Sequence, residues 1–550
     1  MKRRLLLVLA AASLFCSLAA AAYPEEGAPS GQAKSNAPPP LVFVLLPVEN
    51  ASVTFEKFLP LKDYLEKAIS RPIVLRIARD YQEAIHEIGT GDAQLAYLDP
   101  SAYCEARFQH RVVPLVKTVR NGSPTYRSVI VARSDSGIHK IIEAKRKRVA
   151  FGNNSSSSSY LIPAVMFKEV GISLSEFSTV DYLEQEDRIA LSVLAKRHDV
   201  GGMSERVARK YLGDGLSIIN VSEPIPQYTL AASRGLPAAL QKSIRSALLS
   251  VGKDSDPALI AAMKDIDGFA PVEDREFDVV RVMIKNLTGT NYLSYPKNVI
   301  KVAILPLYSA ITLFERFDPL MRYLTEKTGR EFRLVIPKDF EAFFNTIARG
   351  EADFSYSNPY IYIQLADKGY LTAFANTIME ASGDIFRGII ITRRDSPIRT
   401  LEDLKGKNVM VVSYKSAGGF LAQKLLLSEN GIDVFKDLVL SEGKRQEEVI
   451  LNVYRKKADA GFVRESALEV LKEEIDLGEI RILATTSYIA NWPFAASTRT
   501  DGKMTGLVRQ HLLDLTDQRV LAAAGIRGFK AAGDGDFDAL RKRIRQYENR

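Results

Sequence analysis

The chain has 550 residues, 46% of them apolar and 25% charged, with a formal net charge of +8. That length exceeds one ordinary domain and predicts about three to five compact units. The balance excludes disorder, a collagen-like chain and a disulfide scaffold, and the scattered charge offers no basic block for nucleic acid.

Lys2, Arg3 and Arg4 open the chain, an apolar run follows from Leu5, and Ala19 to Ala22 precede Tyr23. This is the layout of a secretory signal over 1–22, its apolar run too short for a membrane span. Phe15 stands before Cys16, where a lipid-bearing cysteine needs a small residue, so no lipid anchor is expected there. Cleavage leaves Cys104 as the lone thiol, expected to be a packing residue with no disulfide. No later stretch is long and apolar enough for a span, so an exported, soluble mature chain is expected. Residues 23–40, with Pro24, Gly27, Pro29, Gly31 and Pro38 to Pro40, read as an extended linker.

Leu41–Leu46 is an apolar run of strand length ending at Pro47. Phe55, Phe58, Leu61, Leu65 and Ile69 share one face of a predicted helix. Val74–Ala78 reads as a strand, Tyr81–Ile88 as a helix stopped by Gly89 and Gly91, and Leu95–Leu98 as a strand. Val129–Ala132 and Val149–Phe151 follow as strands, and Ala164–Val170 as a helix ending at Gly171. The alternation predicts an α/β fold, with ligand beyond the carboxyl ends of strands.

The pattern then repeats. Leu45–Tyr103 aligns without gaps on Ile304–Tyr362, sharing Pro47/Pro306, Phe55/Phe314, Pro60/Pro319, Tyr64/Tyr323, Asp80/Asp339, Gly91/Gly350, Tyr97/Tyr356 and Pro100/Pro359. Further on, Gly171/Gly431, Asp199/Asp459, Gly268/Gly528, Phe277-Asp278/Phe537-Asp538 and Arg281/Arg541 match. Such a period is too long for a solenoid. It predicts two complete modules, 41–290 and 298–550, joined by 291–297.

Several loops carry a resemblance: Asp80-Tyr81, Gly122-Ser123-Pro124-Thr125-Tyr126-Arg127-Ser128, Asp135-Ser136-Gly137-Ile138, Phe151-Gly152 leading to Ser156–Ser159, and Ser222-Glu223-Pro224-Ile225-Pro226. Together they resemble the periplasmic solute-binding proteins of phosphonate, phosphite and phosphate import systems. The resemblance implies two tandem type II binding-protein modules. Each would have two α/β lobes joined by crossing strands and closing on a ligand. In the first module it implies lobe one over 41–130 plus 225–290 and lobe two over 131–224. It places the protein in the periplasm.

A helix start offers unpaired N–H groups and partial positive charge, and serine hydroxyls there add donors for an anion. Ser156, Ser157 and Ser158 stand where the family holds phosphonate oxygens; a polar capping loop is the alternative. Tyr81 and Tyr126 match cleft tyrosines. Glu186 replaces an anion-binding His, Tyr228 replaces an Asp that meets the ligand's amine, and Glu205 matches a lobe-two Glu within one residue. A carboxylate beside a phosphonate is repulsive, so the ligand is expected to differ from an aminophosphonate.

In the second module Phe340 and Phe386 replace the tyrosines, and Ser416-Ala417-Gly418-Gly419 replaces the hydroxyl row. Gln446 stands in the His position, Trp492 in the Asp position, and Glu465 matches Glu205. Aromatic lining suits a neutral, apolar or cationic organic ligand; a cleft that binds nothing and supports a partner contact is the other reading.

The resemblance thus implies capture of a small-molecule ligand by lobe closure, bridging Tyr81 and Tyr126 to Ser156–Ser158, for delivery to an ABC permease. The alternative is sensing, with a signal passed to a membrane sensor kinase. No enzyme, cofactor or metal is expected. None of the five histidines has zinc spacing, and no Gly-x-Ser-x-Gly elbow or Walker-type loop occurs.

Overall fold

The computed structural model describes residues 38–548 apart from 49, 253, 381, 444 and 472–474. The predicted signal segment and most of the predicted linker lie outside them. Each module has a six-stranded sheet and a five-stranded sheet linked by one short pair of crossing strands. In module 1 the larger sheet runs Ile73–Ile77, Leu41–Leu45, Leu95–Leu98, Thr229–Ala232, Val113–Val119, Gly268–Ala270. The first three are parallel and Thr229–Ala232 enters antiparallel between Leu95–Leu98 and Val113–Val119. That late return puts Thr229–Ala232 inside the sheet of lobe one. The five-stranded sheet of lobe two runs Leu216–Val221, Ser128–Arg133, Val200–Ser204, Arg148–Phe151, Thr179–Tyr182. The lobes are joined where Thr125–Tyr126 pairs with Ile225–Pro226. Module 2 repeats both strand orders, with Ile385–Phe386 and Ile489–Ala490 as its crossing pair.

Local chemistry sets the helices that reach the cleft. Asp80 caps Tyr81–Thr90 by accepting from Glu83 N at 2.8 Å, and Gly91, at φ 90°, ends it. The helix runs through Gly89, where a stop was expected. A Cβ there would lie 2.3 Å from the His110 ring, so glycine serves close helix packing instead. Asp99 caps Pro100–His110. The helix after the serine run starts earlier than expected, with a widened turn over Ser157–Leu161 before Ile162–Glu169. Module 2 repeats the widened turn at Ala417–Leu421.

The modules pack as one unit. Val282, on the last helix of module 1, belongs to the core of module 2, and Ile311 of module 2 belongs to that of module 1. Buried ion pairs cross the joint: Arg275 to Asp318 at 2.8 Å and Arg333 to Asp278 at 2.5 Å. Tyr292 and Tyr295, in the connecting segment, lie against Phe108 and the Leu334 carbonyl. Cys104 is fully buried, and burial pushes its thiol up.

Candidate functional site

The cleft of module 1 is built from element starts on both sides of the crossing strands. Lobe one brings Tyr81, Asp99 and Tyr228; lobe two brings Ser156–Ser158, Glu186 and Ser204. The lobes touch directly. Ser157 N donates to Asp99 Oδ2 at 2.7 Å, Ser101 N donates to Ser157 Oγ at 2.7 Å, and Ser157 Oγ donates to Ser101 Oγ at 2.9 Å. Ser158 Oγ donates to Glu186 Oε1 at 2.6 Å, and the same carboxylate takes the Ser204 N–H and hydroxyl. Ser156 caps its own helix and accepts from Ser159 Oγ at 2.9 Å.

The serine row therefore meets carboxylates of its own chain. All three predicted serines are buried, and each hydroxyl has a protein partner. Burial raises Asp99 to about 6 against the N–H groups that favour its charge. Burial also pushes Tyr81, Tyr126 and Tyr228 well up, with Asp99 adding to the shift in each. The Tyr81 hydroxyl meets Ser156 and Tyr228. The Tyr126 hydroxyl lies beside Ser157 but has no partner in hydrogen-bonding geometry. The predicted module 1 residues thus converge, with Glu205 paired to Arg209.

Next to this lock is a cavity of about 360 Å³ that the sequence reading missed. Tyr126, Ser158, Glu186, Glu205 and Tyr228 line it, and so do Lys57, Arg120 and Arg206. Lys57, Arg120 and Arg206 converge on Asp265. Arg120 also donates to the Tyr97 hydroxyl at 2.8 Å and faces the Tyr228 ring at 6.0 Å. One signal was available: Arg120 directly precedes the Asn121-Gly122 turn at the head of a loop already singled out.

Module 2 inverts this chemistry. Asn358 replaces Asp99 and donates to the Lys415 carbonyl at 3.1 Å. Gln446 replaces Glu186 and accepts from Arg464 N at 2.8 Å. Arg464 takes the place of Ser204. Its guanidinium lies 4.0 Å from the Phe386 ring centroid, and desolvation lowers it to about 10. No carboxylate among the described residues pairs with it. A cationic ligand, one of the expected classes, is opposed by this charge. Ser416 caps the helix by accepting from Gly419 N at 3.0 Å. Ala417 is buried, and a Cβ on Gly418 would lie 2.6 Å from Phe386 and 2.8 Å from Arg464. Trp492 is buried on Tyr356, centroids 5.2 Å apart, and Glu465 pairs with Arg387. Phe340 stands apart: it lines a separate groove with Phe344, Tyr414, Lys415 and Phe435.

Among the described residues, no group of three or more His, Cys, Asp or Glu could hold a metal, and no helix is long and apolar enough to cross a membrane.

The profile of a family described as ABC transporter, phosphonate, periplasmic substrate-binding protein matches residues 43–277 and again 302–537. The chain belongs to this family. As a phosphonate-binding-protein relative, it is 24% identical over 263 residues to the tetrathionate sensor histidine kinase TtrS of Salmonella typhimurium, covering 45% of this chain and 44% of that one. It is 27% identical over 255 residues to the phosphate-import protein PhnD of Mycolicibacterium smegmatis, covering 44% of this chain and 77% of that one. Among solved structures, PhnD1 of Prochlorococcus marinus in complex with methylphosphonate aligns with 17% identity and a TM-score of 0.43, over 46% of this chain and 98% of that one. The chain spans less than half the length of the sensor kinase it matches.

Proposed function

We propose that this protein captures a small solute between the lobes of module 1, in the periplasm, and passes it to an ABC permease without chemical change. The cavity carries this reading. It is lined from both lobes beside the crossing strands, so a ligand there adds contacts only when the lobes meet and biases the open–closed equilibrium. Membership of a substrate-binding family supports it. The test is titration calorimetry on the mature full chain against phosphate, phosphite, methylphosphonate, sulfate and a panel of organic solutes, with small-angle scattering for closure. Saturable heat together with compaction is the expected result. Absence of both for every solute sinks the reading.

A second reading, sensing through a membrane kinase, is favoured by contacts that leave module 1 lobe two. Glu169 faces Arg445, and Glu223 meets Glu315, both partners lying in module 2. These contacts would let the second module respond to closure of the first cleft. The sequence likeness to a sensor kinase points the same way. Crosslinking in intact cells separates the two: a permease partner supports delivery, a histidine kinase supports sensing.

A further inference from the structure

Asp99 and Glu186 already take the Ser157 N–H and the Ser158 hydroxyl of the serine loop, which leaves few of its donors for a free oxyanion. Unsatisfied donors lie elsewhere on the same cavity wall. Arg120 directs Nη1 to Asp265 and Nη2 to Tyr97, which leaves its buried Nε without a partner. The Tyr126 hydroxyl, also on the wall, is the second buried donor without one. A buried donor left unmade costs free energy, so a ligand acceptor that reaches either one relieves that cost. Cations dominate the described wall: Lys57, Arg120, Arg127, Arg206 and Arg209 against Glu186 and Glu205. One side of the wall is apolar, with Leu46, Val48 and Phe58 beside the Tyr97 ring, while Thr54, Asn121, Ser123, Thr125 and Gln227 are polar.

We propose that the module 1 cavity takes a small organic carboxylate, its head on Arg120 Nε and the Tyr126 hydroxyl and its apolar body on Leu46, Val48 and Phe58. This rests on the capture reading and names its ligand class. A singly charged carboxylate suits one unpaired guanidinium N–H and a hydroxyl, each a donor to an anionic oxygen. A bare phosphate would forgo the apolar wall and sit as a dianion near the Glu186 charge. The volume, about 360 Å³, lies within the range of small-ligand pockets.

The test uses the mature full chain and three probe sets. The first holds aliphatic and aromatic monocarboxylates from acetate to octanoate, with benzoate and phenylacetate. The second holds their uncharged amides, and the third inorganic phosphate and methylphosphonate. Binding is read by calorimetry and by thermal shift. Expected are binding of at least one carboxylate, at least about tenfold weaker binding of its amide, and a similar loss in Arg120→Gln. Arg120→Gln leaves Asp265 with fewer partners and can misfold. Tyr126→Phe avoids that, because it removes a hydroxyl without a hydrogen-bond partner among the described residues; it should keep the unliganded melting temperature and weaken the carboxylate by about three- to tenfold. Carboxylate binding that survives Tyr126→Phe and a folded Arg120→Gln overturns the inference. So does binding of phosphate or methylphosphonate alone, lost in Ser156→Ala, although solute capture then stands. Binding of no probe by the folded chain overturns this inference and removes these ligands from the capture reading.

Discussion

The two modules share a frame and differ at the cleft. In module 1, Tyr103 and Arg281 meet Asp274; in module 2, Tyr362 and Arg541 meet Asp534 in the same arrangement. Arg281 and Arg541 each also pair with the aspartate three residues earlier, Asp278 or Asp538. Those positions hold the same residues in both halves. At the cleft, two carboxylates and a serine in module 1 become two amides and an arginine in module 2. Asp99, Glu186 and Ser204 give way to Asn358, Gln446 and Arg464. One duplicated scaffold therefore carries two cleft centres of opposite charge, and what one binds is no guide to the other.

The largest expected effect lies in the frame. Arg281→Ala leaves Asp274 and buried Asp278 short of a cation, which costs about 3–5 kcal/mol. Arg541→Ala should cost less, because Asp534 and Asp538 are more exposed than Asp274 and Asp278. Urea unfolding of both variants checks the order; equal losses would break the argument from exposure.

Asp99→Asn turns the module 1 centre toward that of module 2. In the folded chain Asp99 keeps its proton to about pH 6, and in the unfolded chain it ionises near pH 4. Between these values the folded state binds the extra proton, so stability falls as pH rises. The penalty is complete above pH 6, at roughly 3 kcal/mol. The Asn variant should lack that slope. Unfolding profiles at pH 4 and pH 7 test this, and parallel profiles for both proteins would sink it.

Smaller effects sharpen the contrast. Gly418→Ala forces a Cβ against Phe386 and Arg464 and should cost about 1–3 kcal/mol. The matched change Ser158→Ala only removes one of the donors to Glu186, about 1–2 kcal/mol. Thermal unfolding ranks the two. Last, Trp492 is the chain's single tryptophan, and its buried indole N–H has no partner among the described residues. Trp492→Phe should therefore cost less than about 2 kcal/mol. The native emission should be blue-shifted and respond to events in module 2; a red-shifted spectrum would contradict the burial.

Much of the fold was legible because it rests on periodicity and repetition. The apolar run at Leu41–Leu45, the helical face of Phe58, Leu61 and Leu65, and the doubled Phe-Asp and Arg positions all state their roles locally. The two-module α/β reading followed from them. The cleft was only partly legible. Loop resemblance drew Tyr81, Tyr126, Ser156–Ser158, Glu186 and Tyr228 to one place, but not what they do to each other. Asp99 appears in sequence as a helix cap, and its second carboxylate oxygen reaches Ser157 across 58 positions. Arg120 with Asp265, and Arg464 with Phe386, are likewise made by tertiary contact between distant segments. Phe340 shows the converse: its alignment with Tyr81 places it correctly along the chain, while its side chain lines another groove.

The joint has a mechanical consequence. Arg275, Asp278 and Val282 of the first lobe one are fastened to Asp318, Arg333 and the core of the second. The two larger sheets thus behave as a single chassis with two doors hung on it, at Thr125–Tyr126/Ile225–Pro226 and at Ile385–Phe386/Ile489–Ala490. The first door also meets the second half, with Glu169 facing Arg445 and Glu223 facing Glu315. Severing the chain at the connecting segment would not yield two smaller copies of this device, but two halves each missing part of its bearing.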